Sequence, residues 1–316
     1  MKVNFQKALF LLKEGNLVAV PTETVYGLAG RIDREKTLEK IFKIKKRPFF
    51  DPLIVHCYNI PQALTYVSKK HFLLEKLLKH FSPGPFTLIV KKNQKISPLI
   101  TGGKDTVALR IPQHPLTRKL IYKLGVPLAA PSANSYGKVS PVSAEHVLSS
   151  FKNKLPVLDG GRCKKALEST IVSPEFKTKS LFILRPGIIT KKQIENFLIK
   201  ENLKFQVKYK KDVFQPGGSL SHYKPSVPFY IIESKKTKKE IYNFLSKKYP
   251  KKKLKELSLF PSSQKTARLI YLQLRKLSKD KKHLIYVQRS QKKNQGLWLT
   301  IWDRLEKASS KFIKID

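Results

Sequence analysis

Two short apolar runs, each cut off by a residue that cannot continue it, constrain this chain more than anything else in it. Leu17-Val18-Ala19-Val20 stops at Pro21, and Leu53-Ile54-Val55 ends in His56. Runs of this length between turn residues read as buried strands. Ligands in open α/β sheets gather where strands end. Between the two runs lie a hydroxyl-rich turn, Thr22-Glu23-Thr24-Val25-Tyr26-Gly27-Leu28, and a cationic one, Lys45-Lys46-Arg47-Pro48, followed by Asp51-Pro52. Hydroxyls, cations and an imidazole thus sit at element ends, which is a substrate-site pattern. Taken singly, each piece also reads as a plain turn, a solvated basic cluster or a strand-end histidine.

The elements around this stretch follow from periodicity. Phe5, Ala8, Leu9, Leu11 and Leu12 recur at helical spacing until Gly15-Asn16. A second helix over residues 36–46 has Leu38, Ile41, Phe42 and Ile44 as apolar positions, and its end delivers Lys45 and Arg47 to the mouth of the site. Cations there also complement the helix dipole. A helix over 72–81 and a strand over 86–90 flank Ser82-Pro83-Gly84-Pro85. In the strand 106–112, Thr106 and Arg110 share a face, because strand side chains alternate. Leu128-Ala129-Ala130 runs into Pro131-Ser132-Ala133-Asn134-Ser135-Tyr136-Gly137, a loop able to offer hydroxyls and backbone N–H groups to phosphates, or merely to turn. A helix over 191–200 closes the first region, and residues 227–316 alternate apolar runs with helices as a small βαβ domain would.

With 316 residues the chain has room for two domains, and 41% hydrophobic residues suffice for their cores. No stretch approaches the roughly 18 apolar residues of a membrane span, so a soluble, unprocessed, cytoplasmic protein is expected. Cys57 and Cys163 share no metal-ligand spacing and imply neither a zinc site nor a disulfide framework. A net charge of +42 ordinarily points to nucleic acid. Here lysine dominates and spreads over the whole chain, as compositional bias on solvated faces would give. Weak, salt-sensitive RNA binding is the most that the charge implies, and any anionic substrate would be drawn in.

The joined motifs PTETVYGL, KKRP and PLIVH, with SPGPFTLIV, APSANSYGKVSP, LESTIV and ILRPG, resemble those of the YrdC-type threonylcarbamoyl-adenylate synthases of tRNA modification. Tyr136 stands where that family often has serine, Ala166 where it has glycine and Asp51 where asparagine is expected. The resemblance implies a mixed, twisted α/β sheet with helices around a basic cavity (residues 1–205), a linker or lid (206–226) and a smaller Rossmann-like α/β domain (227–316). It carries L-threonine binding to Thr24, His56, Arg110, Ala130 and Ser169. It carries ATP binding to Arg47, Asp51, Thr106, Ser132, Asn134, Ser140 and Arg185, with Lys45 and Arg47 as the catalytic cations. The segment Gln215-Pro216-Gly217-Gly218-Ser219-Leu220-Ser221-His222-Tyr223-Lys224-Pro225 resembles the family linker, which puts His222 and Tyr223 in a lid over the nucleotide.

The reaction so implied joins L-threonine, bicarbonate or CO2, and ATP accompanied by Mg2+, with no resident metal. Its adenylate would pass to a tRNA threonylcarbamoyltransferase machinery. Glu23 and Glu168 are candidates for a general base, with turn or cap roles equally open. Two other classes fit parts of the pattern. A carbamoyltransferase using the same domain would add cysteine-rich or transferase modules, and a non-catalytic RNA-binding protein would not need this polar set.

Overall fold

The protein is described here from a computed structural model, over residues 1–210, 222–290 and 294–316. The chain divides into two compact units, Met1–Tyr136 with Ser140–Ser219, and Gly137–Val139 with Leu220–Asp316.

The first unit is built on eleven strands: β1 (Lys2–Val3), β2 (Val18–Val20), β3 (Gly27–Arg31), β4 (Ile54–His56), β5 (Phe86–Lys91), β6 (Thr106–Arg110), β7 (Leu128–Ala129), β8 (Val157–Leu158), β9 (Thr170–Glu175), β10 (Ser180–Arg185) and β11 (Gln206–Tyr209). They form one sheet in the order β1-β8-β2-β3-β7-β4-β6-β5-β9-β10-β11, with parallel and antiparallel pairs mixed. β2 and β4 are buried at every residue, as strands covered on both faces must be. Ala8 and Leu12 of the helix Phe5–Lys13 and Leu120 and Ile121 of the helix Pro115–Leu124 pack on Val18, Val20 and Ala29. β11 lies within the stretch expected to be linker. It adds to the sheet edge parallel to β10, and only Val207 of its four residues is buried, so it shows no apolar run.

The cationic turn is placed by the end of a helix. Glu35–Lys45 buries Thr37, Leu38, Ile41 and Phe42, then stops because Lys46 takes a left-handed φ of 52°. The Arg47 N–H returns to the Phe42 carbonyl at 3.0 Å, and Pro48 forbids continuation.

The second unit has four strands, β12 (Phe229–Ser234), β13 (Lys253–Glu256), β14 (His283–Gln288) and β15 (Lys311–Ile315), all parallel, in the order β13-β14-β12-β15. The helices Lys238–Lys248, Ser263–Leu277 and Leu297–Ala308 alternate with them. This is the expected parallel α/β sheet. Its order, second-third-first-fourth within the unit, differs from the third-second-first-fourth of a Rossmann half. The two edge strands, KLKE and KFIKI, are lysine-rich, which protects an edge and also hides a strand from a search for apolar runs. Residues 137–139 join this unit through two bonds to the chain: Lys224 N–H to the Gly137 carbonyl at 2.7 Å, and the Arg275 guanidinium to the Val139 carbonyl.

The tightest backbone approach lies next to the polar residues of the first unit. A Cβ on Gly187 would sit 2.3 Å from the Thr170 nitrogen and 2.5 Å from the Ser169 carbonyl carbon, and backbone cannot yield as a side-chain tip can. Gly187→Ala is expected to lower the stability of the first unit by about 1–3 kcal/mol, as overpacking does. Urea denaturation followed by tryptophan-independent far-UV dichroism would read it, and an unchanged midpoint would refute the tight approach.

Candidate active site

Three neighbouring strands set a row of polar side chains side by side. His56 on β4 is in register with Arg110 on β6, and Arg110 is in register with Thr87 on β5. The Thr87 hydroxyl shares a 2.7 Å hydrogen bond with Ser169, the residue just before β9. Arg110 is buried, and its Nη2 donates to Glu23 Oε1 at 2.6 Å and to Thr24 Oγ1 at 2.8 Å. The Thr22 hydroxyl folds the PTET turn on itself, accepting from the N–H groups of Thr24 and Val25 and donating to the Val25 carbonyl. The Ala130 N–H donates to the Ile54 carbonyl at 3.1 Å, two residues from His56. The sequence-assigned threonine residues Thr24, His56, Arg110, Ala130 and Ser169 are therefore gathered in one place. Thr87 was missed, because a hydroxyl inside FTLIV looks like an ordinary strand residue.

A second cluster adjoins the row. Arg185 donates to the Ser169 carbonyl at 2.9 Å and to its hydroxyl at 3.0 Å, and Ser140 donates to Glu168 at 2.7 Å. Arg47 is buried against Asp51, with Nη2 at 2.7 Å from Oδ1 and at 2.8 Å from the Pro52 carbonyl. The Tyr136 ring covers this guanidinium, centroid to Cζ 5.7 Å. Burial raises the Asp51 carboxyl above its ordinary range, while Arg47 and a hydrogen bond from Tyr136 pull it back down. Two of the three departures from the family pattern, Asp51 and Tyr136, thus meet at one arginine. Thr106 begins β6, on the face that Arg110 shares.

Lys45 corrects the sequence reading. It does not stand at the mouth of the site but is 1% exposed, and its Nζ donates to the carbonyls of Ser132 at 2.5 Å and Asn134 at 2.6 Å. Burial, with Arg47 beside it, holds its pKa well below the usual lysine value. The Tyr136 N–H in turn donates to the Lys45 carbonyl at 2.9 Å, so the KKRP and SANSY segments are tied at both ends. A cation at a helix C-terminus looks like a solvent-facing charge in sequence, and nothing there signals that a loop 87 residues away closes over it. Outside this clamp a groove of about 930 Å³ flanks Arg47, lined by Lys36, Lys40, Lys43, Lys46 and the rings of Phe42 and Phe49.

Two further expectations have local answers. Ala166, standing where glycine was expected, takes φ +56° and so keeps the glycine-type turn at a conformational cost. His222 and Tyr223 belong to the second unit, where the Arg304 guanidinium lies 5.1 Å from the Tyr223 ring centroid and Tyr271 stacks on it at 5.7 Å. Residues 211–221 of the expected lid lie outside the described residues. Both cysteines are buried and free. Among the described residues no group of three His, Cys, Asp or Glu could hold a metal. Asp51 Oδ2 is buried without a hydrogen bond, but Arg47 on the same carboxylate opposes a cation there.

His56 has a measurable signature. Burial and then Arg110 push its pKa down to about 3, against only one opposing contact, to the Ile54 carbonyl. The imidazole is therefore neutral in the folded protein above about pH 3. The unfolded chain takes up a proton near pH 6.5 and the folded chain does not, so this group removes stability as pH falls from about 6.5 toward about 3. Between pH 7 and 5 the loss is about 2 kcal/mol. His56→Gln is expected to remove that part of the acid sensitivity, read as the difference in denaturation free energy at the two pH values. An equal pH slope in both proteins would contradict a buried neutral imidazole.

Comparison with known proteins gives the family. The Sua5/YciO/YrdC family profile, described as "Telomere recombination", matches residues 10–187, and the profile of the threonylcarbamoyl-AMP synthase C-terminal domain matches residues 189–310. The threonylcarbamoyl-AMP synthase of Pyrococcus abyssi is 35% identical over 96% of this chain and 94% of its own length. That of Bacillus subtilis is 40% identical over 72% of this chain and 66% of its own length. The crystal structure of P. abyssi Sua5 complexed with L-threonine superposes with a TM-score of 0.88 at 31% identity, covering both chains completely. With both profiles matched in order and a full-length relative in both sequence and fold, this chain belongs to the two-domain, Sua5-type threonylcarbamoyl-AMP synthases.

Proposed function

We propose that this chain makes L-threonylcarbamoyl-AMP from L-threonine, bicarbonate or CO2, and ATP, releasing pyrophosphate, and that the adenylate feeds a tRNA threonylcarbamoyltransferase machinery. The observation that carries the reading is the row His56, Arg110, Thr87 and Ser169 beside the Lys45-clamped loop. The relative crystallised with L-threonine shares the whole fold, which supports putting the amino acid at that row.

The chemistry asks little covalent work of the protein. The threonine amine adds to the carbon of CO2 and loses a proton, giving a carbamate. A carbamate oxygen then attacks the α-phosphorus, and the bond to the bridging oxygen breaks as pyrophosphate leaves. Rate comes from holding the carbamate in line and from fixed positive charge around the phosphates. Arg110 grips the threonine carboxylate, with Thr24, Ser169, the Ala130 backbone and the neutral His56 around it. Arg47 and Arg185 face the phosphates, with Thr106, Ser132, Asn134 and Ser140 as hydroxyl and amide contacts. Lys45 acts by fixing the 132–134 turn, and Asp51 by holding Arg47. Mg2+ enters with ATP, held by phosphates and water.

The direct test incubates the protein with ATP, Mg2+, bicarbonate and labelled threonine. Labelled adenylate and pyrophosphate are expected to form together, and pyrophosphate release without threonine dependence would refute the reading. Arg47→Ala should lower turnover by about a hundredfold, since a preorganised charge contact is lost. Arg110→Lys should instead raise the threonine KM, because an ammonium lacks the planar, anchored donor geometry of the guanidinium.

We further propose that the part of the expected linker beyond β11 acts as a lid. A carbamate and an acyl-adenylate both hydrolyse readily, so closure that excludes water raises yield. A fragment ending at Lys210, which keeps β11, should fold and make less adenylate per ATP consumed than the full chain. Equal coupling in the two would leave the segment a tether.

A further inference from the structure

We propose that Glu23 positions Arg110 for the threonine carboxylate and so sets amino-acid affinity without touching the substrate. The inference rests on the function proposed above.

Both Glu23 oxygens are already engaged. Oε1 accepts from Arg110 Nη2 at 2.6 Å, and Oε2 accepts from the Gln113 backbone N–H at 2.9 Å. The side chain is buried at 4% exposure, so these contacts compete with little water. A carboxyl group committed at both oxygens in this way is poorly placed to take a proton from the threonine amine. Glu23 is thus a holder of a cation rather than a base.

The held cation has one arm left over. Arg110 Nε points to the Gly84 carbonyl at 3.4 Å, and Nη2 serves Glu23 and Thr24. Nη1 makes no hydrogen bond among the described residues. A guanidinium anchored along one side holds its remaining amino group, Nη1, in a fixed plane, ready to donate to a carboxylate. The anchor reaches far through the chain: Glu23 stands in the turn after β2, Arg110 ends β6, and Gln113 precedes the helix Pro115–Leu124. A carboxylate at position 23 therefore fixes the arginine against two separate elements. It also balances a charge that would otherwise be buried alone.

The test compares wild type with Glu23→Gln in full-length protein, by calorimetric threonine binding and by initial rates. Glutamine keeps the shape but accepts at one atom only and sets an NH2 against a donor. The expected result is a threonine Kd and KM raised about tenfold or more, ATP KM within about twofold, and kcat at saturating threonine within about threefold, with the limbs of the pH–rate profile unmoved. A kcat loss near a hundredfold with threonine KM unchanged and the acid limb gone would make Glu23 the base and overturn the proposal. Threonine affinity equal to wild type would overturn it too. Should Glu23→Gln fail to fold, Glu23→Gln/Arg110→Met removes both charges together and is compared with Arg110→Met alone. Equal threonine affinity in these two supports positioning through Arg110, whereas a further tenfold loss in the double variant refutes it. A wild-type protein that binds threonine while Glu23→Gln matches it refutes this inference alone, and a wild-type protein that binds none refutes the proposed function with it.

Discussion

A cation taken out of water must find acceptors that cannot leave, and the first unit of this protein is arranged around that requirement. Lys45, Arg47, Arg110 and Arg185 are all buried, and every one of them donates to at least one main-chain carbonyl. A carbonyl neither titrates nor swings away, so the direction of each positive charge is set by the course of the backbone. Three of the four also bond to a carboxylate or a hydroxyl, which trims the field without removing it. Charge fixed in this way needs no rearrangement when a polyanion arrives, and that is where electrostatic catalysis gains most.

The same requirement explains why the loops could not be placed independently. Lys45 ends a helix and Ser132 and Asn134 lie in the turn after β7, yet two short hydrogen bonds make them one object. Arg185 ends β10 and Ser169 precedes β9, and again the guanidinium joins them. Strands bring these segments near one another, but the buried cations determine their final spacing. The neutral His56 fits the scheme from the other side, since burial first, and then Arg110 next to it, oppose a second positive charge there.

Much of this could be read from residues in order, and what could not has a physical reason. Short runs such as LVAV and LIV announced buried strands because nothing but a sheet interior accepts them. The threonine set came from the motif resemblance, and the structure brings its members together because Arg110 and His56 end neighbouring strands in register. Lys45 was misread because a lysine in the last turn of a helix has the same local signature whether water or a loop covers it. β11, β13 and β15 escaped because these edge strands bury too few residues to show an apolar run: Val207 alone in β11, none in β13, and Ile313 and Ile315 in β15. Tyr136 and Asp51 looked like two unrelated departures in sequence, and only their meeting at Arg47 shows them as a pair.

The sheet order carries a consequence for how the polar row comes into being. β6 sits between β4 and β5, β5 sits between β6 and β9, and β4 sits between β7 and β6, so the row is stitched from segments that begin at residue 54 and end at residue 175. Closing such distant pairs spends chain entropy before any contact rewards it, and topologies of this kind fold slowly. No contiguous stretch shorter than the one from His56 to Ser169 contains the row. A nascent or partly unfolded molecule therefore holds no fragment of the site able to capture amino acid or nucleotide, and ligand affinity becomes a gauge of completed folding for the first unit as a whole.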